Sequence, residues 1–130
     1  MRAFPLGLWA PVAAYMALLF VLSAQPGDAG PGPFPVWLAE APDWLQHGIA
    51  YAGLGLVTLR ATAAGRWRGV GCAALAAAWL IATTYGALDE FHQSFVPGRT
   101  PDIRDLTADG VGAALALGAA WAWSIISSRS

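Results

Sequence analysis

Residues 69–95 read GVGCAALAAAWLIATTYGALDEFHQSF, which is twenty positions without a charged side chain followed at once by Asp89, Glu90 and His92. The apolar run matches the ~20 residues that a helix needs to cross hydrocarbon. Three further segments have the same character, and together the sequence predicts an all-α membrane protein. Its expected form is a bundle of four transmembrane helices over about 4–24, 44–64, 69–88 and 106–126, in a single domain spanning 1–130.

Composition fits that class. Hydrophobic residues make up 57% of the chain and charged residues 12%, against ~25% charged in a typical soluble domain. Four spans in 130 residues leave no room for a second domain, so any chemistry must come from helix ends and short loops. All seven basic residues are arginine, the net charge is −1, and no basic stripe or tail exists. That pattern argues against nucleic acid as a partner. Cys72 is the only cysteine, which excludes an intramolecular disulfide and a cysteine-only metal site. Within an apolar segment it reads as a small buried hydrophobe.

The eight acidic residues all lie within 28–43 and 89–109, whereas Arg2 precedes the first span, Arg60, Arg66 and Arg68 follow the second, and Arg129 follows the fourth. The positive-inside tendency weighs arginines and largely ignores acids. It predicts both termini in the cytoplasm and the loops after spans one and three outside, although Arg99 and Arg104 in the latter oppose it. Trp37 and Trp44 then mark the outer interface and Trp9, Trp67, Trp121 and Trp123 the inner one, with Trp79 near mid-membrane, facing lipid or packing partners. Ser23-Ala24 after an apolar run resembles a signal cleavage site, but Leu22 stands where cleavage favours a small residue. The first span is therefore expected to be retained, with a kink at Pro11 that membrane helices tolerate. The loop from Gln25 to Pro42 holds Pro26, Pro31, Pro33, Pro35 and Pro42 with Gly27, Gly30 and Gly32. It is expected to be an extended cover without a regular helix or central strand.

Three helix ends carry polar stripes. In DWLQHGIAYAGLGL (43–56), Asp43, His47 and Tyr51 recur every four residues and share a face. In TTYGALDEFHQSF (83–95), Tyr85, Asp89 and Gln93 form a stripe with His92 beside it, while Glu90 points about 100° away. In DIRDLTADGVGAALALG (102–118), Asp105 and Asp109 are one turn apart, and Gly112 and Ala116 continue their face with small residues that permit close helix contact. A charge facing lipid at depth costs roughly 2 to 4 kcal/mol. The stripes are therefore expected to face one another in one outward pocket. Between the last two, Pro97-Gly98 suits the centre of a type II turn with Val96 extended before proline. Thr100 or Asp102 is expected to cap the fourth helix, the latter being favoured, with Asp105 near the positive helix end.

The run YGALDEFHQSFVPGRTPDIRDLTADGVGA (85–113), preceded by a helix with Asp43, His47 and Tyr51, resembles the VanZ-like family of bacterial integral membrane proteins. The most specific part is DExHQxFVPGR followed by the helix with Asp105 and Asp109. The resemblance covers nearly the whole chain. It implies a multi-span protein of the bacterial cytoplasmic membrane, in a family named for a member that lowers susceptibility to the glycopeptide teicoplanin. The family pattern falls on Asp43, His47, Tyr51, Tyr85, Asp89, Glu90, His92, Gln93, Pro97, Gly98, Arg99, Asp105 and Asp109. Lysine often follows the first aspartate in the family; here that position is Trp44, and Arg99 is the nearest substitute cation.

Each candidate also has a plainer reading. His47 either bridges Asp43 or Tyr51 within its helix or binds ligand and moves protons. Asp89 either accepts bonds from Tyr85, Gln93 or Arg99, or acts against the carboxylates of span four, which a proton, arginine or cation must screen. Glu90 is expected at the turn or headgroups rather than in the pocket. Asp105 and Asp109 stabilise the helix end and pair with Arg99 or Arg104, or form part of a site. Tyr51 and Tyr85 suit interfacial packing. Arg99 is a counter-ion or a phosphate or carboxylate binder.

Three functional classes follow. The leading one is a protein that binds or modulates a cell-envelope lipid or cell-wall precursor. The second is a membrane-embedded enzyme in which His47 or His92 acts as general acid or base while Asp89, Asp105 and Asp109 orient it or hold a divalent cation, on a lipid-linked substrate. No serine or cysteine nucleophile is expected beside the histidines. The third is an assembly partner using the faces Gly110/Ala114/Gly118 and Ala108/Gly112/Ala116.

Overall fold

The computed structural model describes residues 5–30 and 32–129. Arg2, the start of the expected first span and Pro31 lie outside them. Among the described residues the chain is all-helical, without strands: α1 (Leu6–Ser23), α2 (Val36–Ala39), α3 (Asp43–Thr62), α4 (Cys72–Gln93) and α5 (Ile103–Ser128). Three of these, α1, α4 and α5, are long and apolar enough to cross a membrane. They are apolar nearly all round, yet only 17 to 22% of their most apolar windows is buried within the protein. Leu18, Val21, Leu80, Leu88, Leu115 and Ile126 stand exposed on them. Outward surface of this kind requires lipid as its solvent, and the chain is a multi-pass membrane protein.

The fourth long helix, α3, falls short of that apolarity because Asp43, Gln46, His47 and Arg60 dilute it. Its place in the bundle explains the difference. α3 packs most extensively along α5 and also against α4 and α1, so it is the central element. Tyr51, Leu54, Gly55, Thr58, Leu59 and Ala61 are all buried. A helix whose neighbours are protein does not need the apolarity that lipid demands. The α3–α5 seam is tight because it has almost no side chain at one point: a Cβ on Gly112 would lie 2.1 Å from the Gly48 carbonyl oxygen. The close contact anticipated at Gly112 is thus used inside the bundle. Gly110 is also engaged, its carbonyl accepting a 2.9 Å bond from the Trp79 indole.

Two expectations about small elements need correction. The proline-rich loop contains a single helical turn, α2, entered from Pro35, whose fixed φ suits the start of a helix. Cys72 is exposed, because it is the first residue of α4 beyond Gly71 rather than part of its buried stripe. The turn after α4 forms as anticipated: Gly98 has φ +74°, and the Arg99 amide donates to the Val96 carbonyl over 3.1 Å. The loop docks on this turn. The Gly27 amide donates to the Pro97 carbonyl at 3.1 Å, and a Cβ on Gly27 would strike the Gly98 oxygen at 2.1 Å.

Asp102 caps α5, its carboxylate accepting from the Arg104 amide at 2.8 Å. Asp102→Ala is expected to cost about 1 kcal/mol, seen as a lower midpoint in reversible SDS titration of the micellar protein. Thr100→Ala should leave that midpoint in place.

Candidate functional site

The polar stripes converge at one end of the bundle, where the carboxyl ends of α1 and α4 meet the amino ends of α3 and α5. Four carboxylates are buried there, Asp89, Glu90, Asp105 and Asp109, none more than 7% exposed. They divide between two histidines.

The first group surrounds His47. Its Nδ1 lies 2.9 Å from Asp109 Oδ1 and 3.9 Å from Glu90 Oε1, while Nε2 faces Asp105 Oδ2 at 3.9 Å. A carboxylate can only accept, so the Asp109 contact requires the proton on Nδ1. The expected bridges to Asp43 or Tyr51 are replaced by contacts across helices, although the Tyr51 ring lies parallel to the imidazole at 6.3 Å. Glu90, expected at the turn or headgroups, does meet the turn and is also buried beside His47. Its Oε2 accepts the Asp102 amide at 3.1 Å, and its Oε1 has no hydrogen-bond partner among the described residues, as is also true of Asp109 Oδ2. One 100° step along α4 reaches α5 rather than solvent because α4 and α5 pack together here. Donor atoms of His47, Glu90 and Asp105 all lie within 4.8 Å of one another, so these residues could hold a metal ion.

The second group centres on Asp89. Its carboxylate accepts from the Ser23 hydroxyl and, at 3.3 Å, from the Tyr51 hydroxyl. Ser23 Oγ is also 3.3 Å from His92 Nδ1, and the His92 ring stacks on Phe20 with centroids 4.4 Å apart. Since the serine has one proton and gives it to Asp89, the His92 contact is one in which Nδ1–H donates to Oγ. A serine does therefore accompany a histidine, contrary to expectation. Its one sequence signal was a serine at the carboxyl end of a largely apolar helix.

Other candidates lie elsewhere. Tyr85 turns to α1, its hydroxyl donating to the Met16 carbonyl at 2.6 Å instead of to Asp89. Arg99 donates from Nε to the Gln25 carbonyl at 3.1 Å, and no carboxylate among the described residues lies within 4.0 Å of its guanidinium or that of Arg104. The expected pairing of Asp105 and Asp109 with these arginines is taken by His47, which shares their depth.

Two adjoining cavities serve the groups. The inner one, about 130 Å³, is lined by Ser23, Asp43, His47, Tyr51, Asp89 and Gln93. It shares Leu22, Phe34, Asp43, Gln46, Gln93 and Arg99 with an outer cavity of about 1080 Å³ that reaches Arg104, Asp105 and the proline-rich loop. Such an arrangement can take an anionic group at its arginines and make or break hydrogen bonds at its floor.

No curated protein and no solved structure matches the chain. The family model for VanZ/LLP1 matches residues 4–126. That match takes in every element bearing on the cleft, and the chain belongs to the VanZ/LLP1 family.

Proposed function

We propose that the protein crosses the bacterial cytoplasmic membrane four times, with both termini inside. On this reading its outward cleft binds an envelope amphiphile with an anionic headgroup, of the lipid-linked or cell-wall precursor class, and so modulates the envelope. The observation that carries the reading is the mixed wall of the outer cavity. Leu18, Val21, Leu22 and Phe34 line one part, and Arg99, Arg104, Asp43 and Gln93 line another. Leu18 and Val21 are more than half exposed on α1, so the apolar wall continues onto the lipid-facing surface. A tail can stay in lipid while a headgroup meets the guanidiniums. The α3 crossing and the inside termini are supported by the 20-residue length of α3 and by Arg60, Arg66, Arg68 and Arg129.

The test joins binding to phenotype. Purified protein is expected to bind a polyprenyl phosphate more tightly than the corresponding alcohol, with Arg99→Ala weakening the phosphate about tenfold, or ~1.4 kcal/mol. In a sensitive host, wild type should lower teicoplanin susceptibility and Asp89→Asn, at matched membrane abundance, should not. Equal protection by both proteins would make the Asp89 group architectural, and equal binding of phosphate and alcohol would sink the headgroup reading.

A second reading rests on the Ser23–Asp89 contact. A serine hydroxyl already bonded to a buried carboxylate can attack an acyl or phosphoryl group of a lipid-linked substrate, with Asp89 taking its proton and returning it to the leaving oxygen as the substrate bond breaks, after which water cleaves the serine ester. Ser23→Ala separates the readings, because it should abolish turnover yet leave binding of the polyprenyl phosphate in place.

A further inference from the structure

Hydrogen bonds leave part of the His47 group unpartnered, whichever charge the ring carries, since Nε2 and Asp105 Oδ2 are 3.9 Å apart and Glu90 Oε1 has no partner among the described residues. With its proton on Nδ1 toward Asp109, a neutral ring turns the Nε2 lone pair toward the Asp105 carboxylate at 3.9 Å. Two acceptors at that separation are too far apart to share a proton well and too close to stand unscreened in a buried place. Beside them Glu90, only 7% exposed, has Oε1 without a hydrogen-bond partner although it lies 3.9 Å from Nδ1 of the ring, and a ligand atom from each of His47, Glu90 and Asp105 lies within 4.8 Å of the others. Its other oxygen is fixed by the Asp102 amide, so the carboxylate cannot swing away without giving up that bond.

A cation answers all three features. Zn²⁺ and similar ions bind imidazole nitrogen and carboxylate oxygen at ~2.0 to 2.2 Å, so an ion seated between Nε2 and Asp105 Oδ2 meets both with little movement. An imidazole whose other N–H is held by a carboxylate is the usual form of a metal-bound histidine. We propose that His47, Glu90 and Asp105 bind one first-row divalent cation of the zinc or manganese class, with Asp109 orienting the His47 ring. The imidazole sets the preference, since Mg²⁺ and Ca²⁺ favour all-oxygen sites. The site stands whether or not the cleft binds an amphiphile. The ion would sit beside the outer cavity, which Asp105 also lines.

The test uses the full chain in detergent, stripped with chelator, in a Cys72→Ser background. Cys72 opens α4 and Glu90 lies near its other end, so that background removes the exposed thiol as a rival ligand without touching the cluster. Titration with ZnCl₂ or MnCl₂ is expected to show one site per chain, tighter than MgCl₂ by at least about tenfold. Glu90→Gln and Asp105→Asn should each weaken it more than tenfold, Asp109→Asn by about 10- to 100-fold, and Glu40→Gln, an exposed acid, not at all. X-ray absorption at the zinc edge on the unaltered cluster should give imidazole and oxygen ligands; this readout does not depend on whether any variant folds. Absence of a stoichiometric site, binding unchanged by Glu90→Gln, or an ion without imidazole would each overturn the assignment.

Discussion

Gly112→Ala should unfold the bundle more readily than any conservative change on its surface. The added methyl would begin 2.1 Å from the Gly48 carbonyl oxygen and 2.8 Å from the Gly48 Cα. Both obstacles are backbone, so no rotamer can relieve them, and α3 and α5 must part along the largest helix–helix contact in the protein. The expected loss is about 3 kcal/mol, the upper part of the range for overpacked cores. Gly118→Ala on the same helix meets nothing within 4 Å and should be neutral or slightly stabilising, since alanine is the better helix former. Reversible SDS titration of the two variants measures the difference. Similar midpoints would mean that the crossing is not as tight as described.

His47→Leu is expected to be the most damaging polar substitution. The imidazole stands among Glu90, Asp105 and Asp109, all nearly free of solvent, and no arginine side chain among the described residues lies within 4.0 Å of them. Removing one partner of a buried charged group costs about 3 to 5 kcal/mol, because the remaining charges stay desolvated. Adding Asp109→Leu should recover part of that loss, since one orphaned carboxylate disappears with its partner. Stability of the two singles and the double, measured as a thermodynamic cycle, gives the coupling. Strict additivity would show that His47 and Asp109 do not act as a pair.

Periodicity carried the reading of these residues a long way and stopped at identifiable points. Spacing of four placed Asp43, His47 and Tyr51 on one face and Asp105 with Asp109 on another, and the penalty for charge in lipid turned those faces inward. Hydrogen bonds from Tyr51 and His47 to α4 and α5 carboxylates bear out that convergence. The turn chemistry of Pro97-Gly98 and the cap at Asp102 were equally legible, because both depend on local backbone preference. Partner choice was not. Whether Tyr85 meets Asp89 or Met16, and whether Glu90 stays at the turn or also reaches His47, depends on which helix lies alongside, and one sequence carries no such information. Ser23 was hidden for the same reason: its significance comes from Asp89, 66 residues away. Hydropathy, finally, ranks residues by their suitability for lipid, so it underrates a helix such as α3 whose neighbours are protein.

That last feature bears on how the chain enters its membrane. On the four-span reading, α1 is apolar enough to leave the insertion channel for lipid unaided, but α3 follows it with Asp43 and His47 at one end and Arg60 at the other. A segment of that kind partitions poorly on its own. His47 finds its carboxylate partners on α4 and α5, which are synthesised later. On that reading the newborn α3 would wait at the channel or the interface until the following helices arrive, and the contacts of His47 with α4 and α5 would act as the latch that completes assembly.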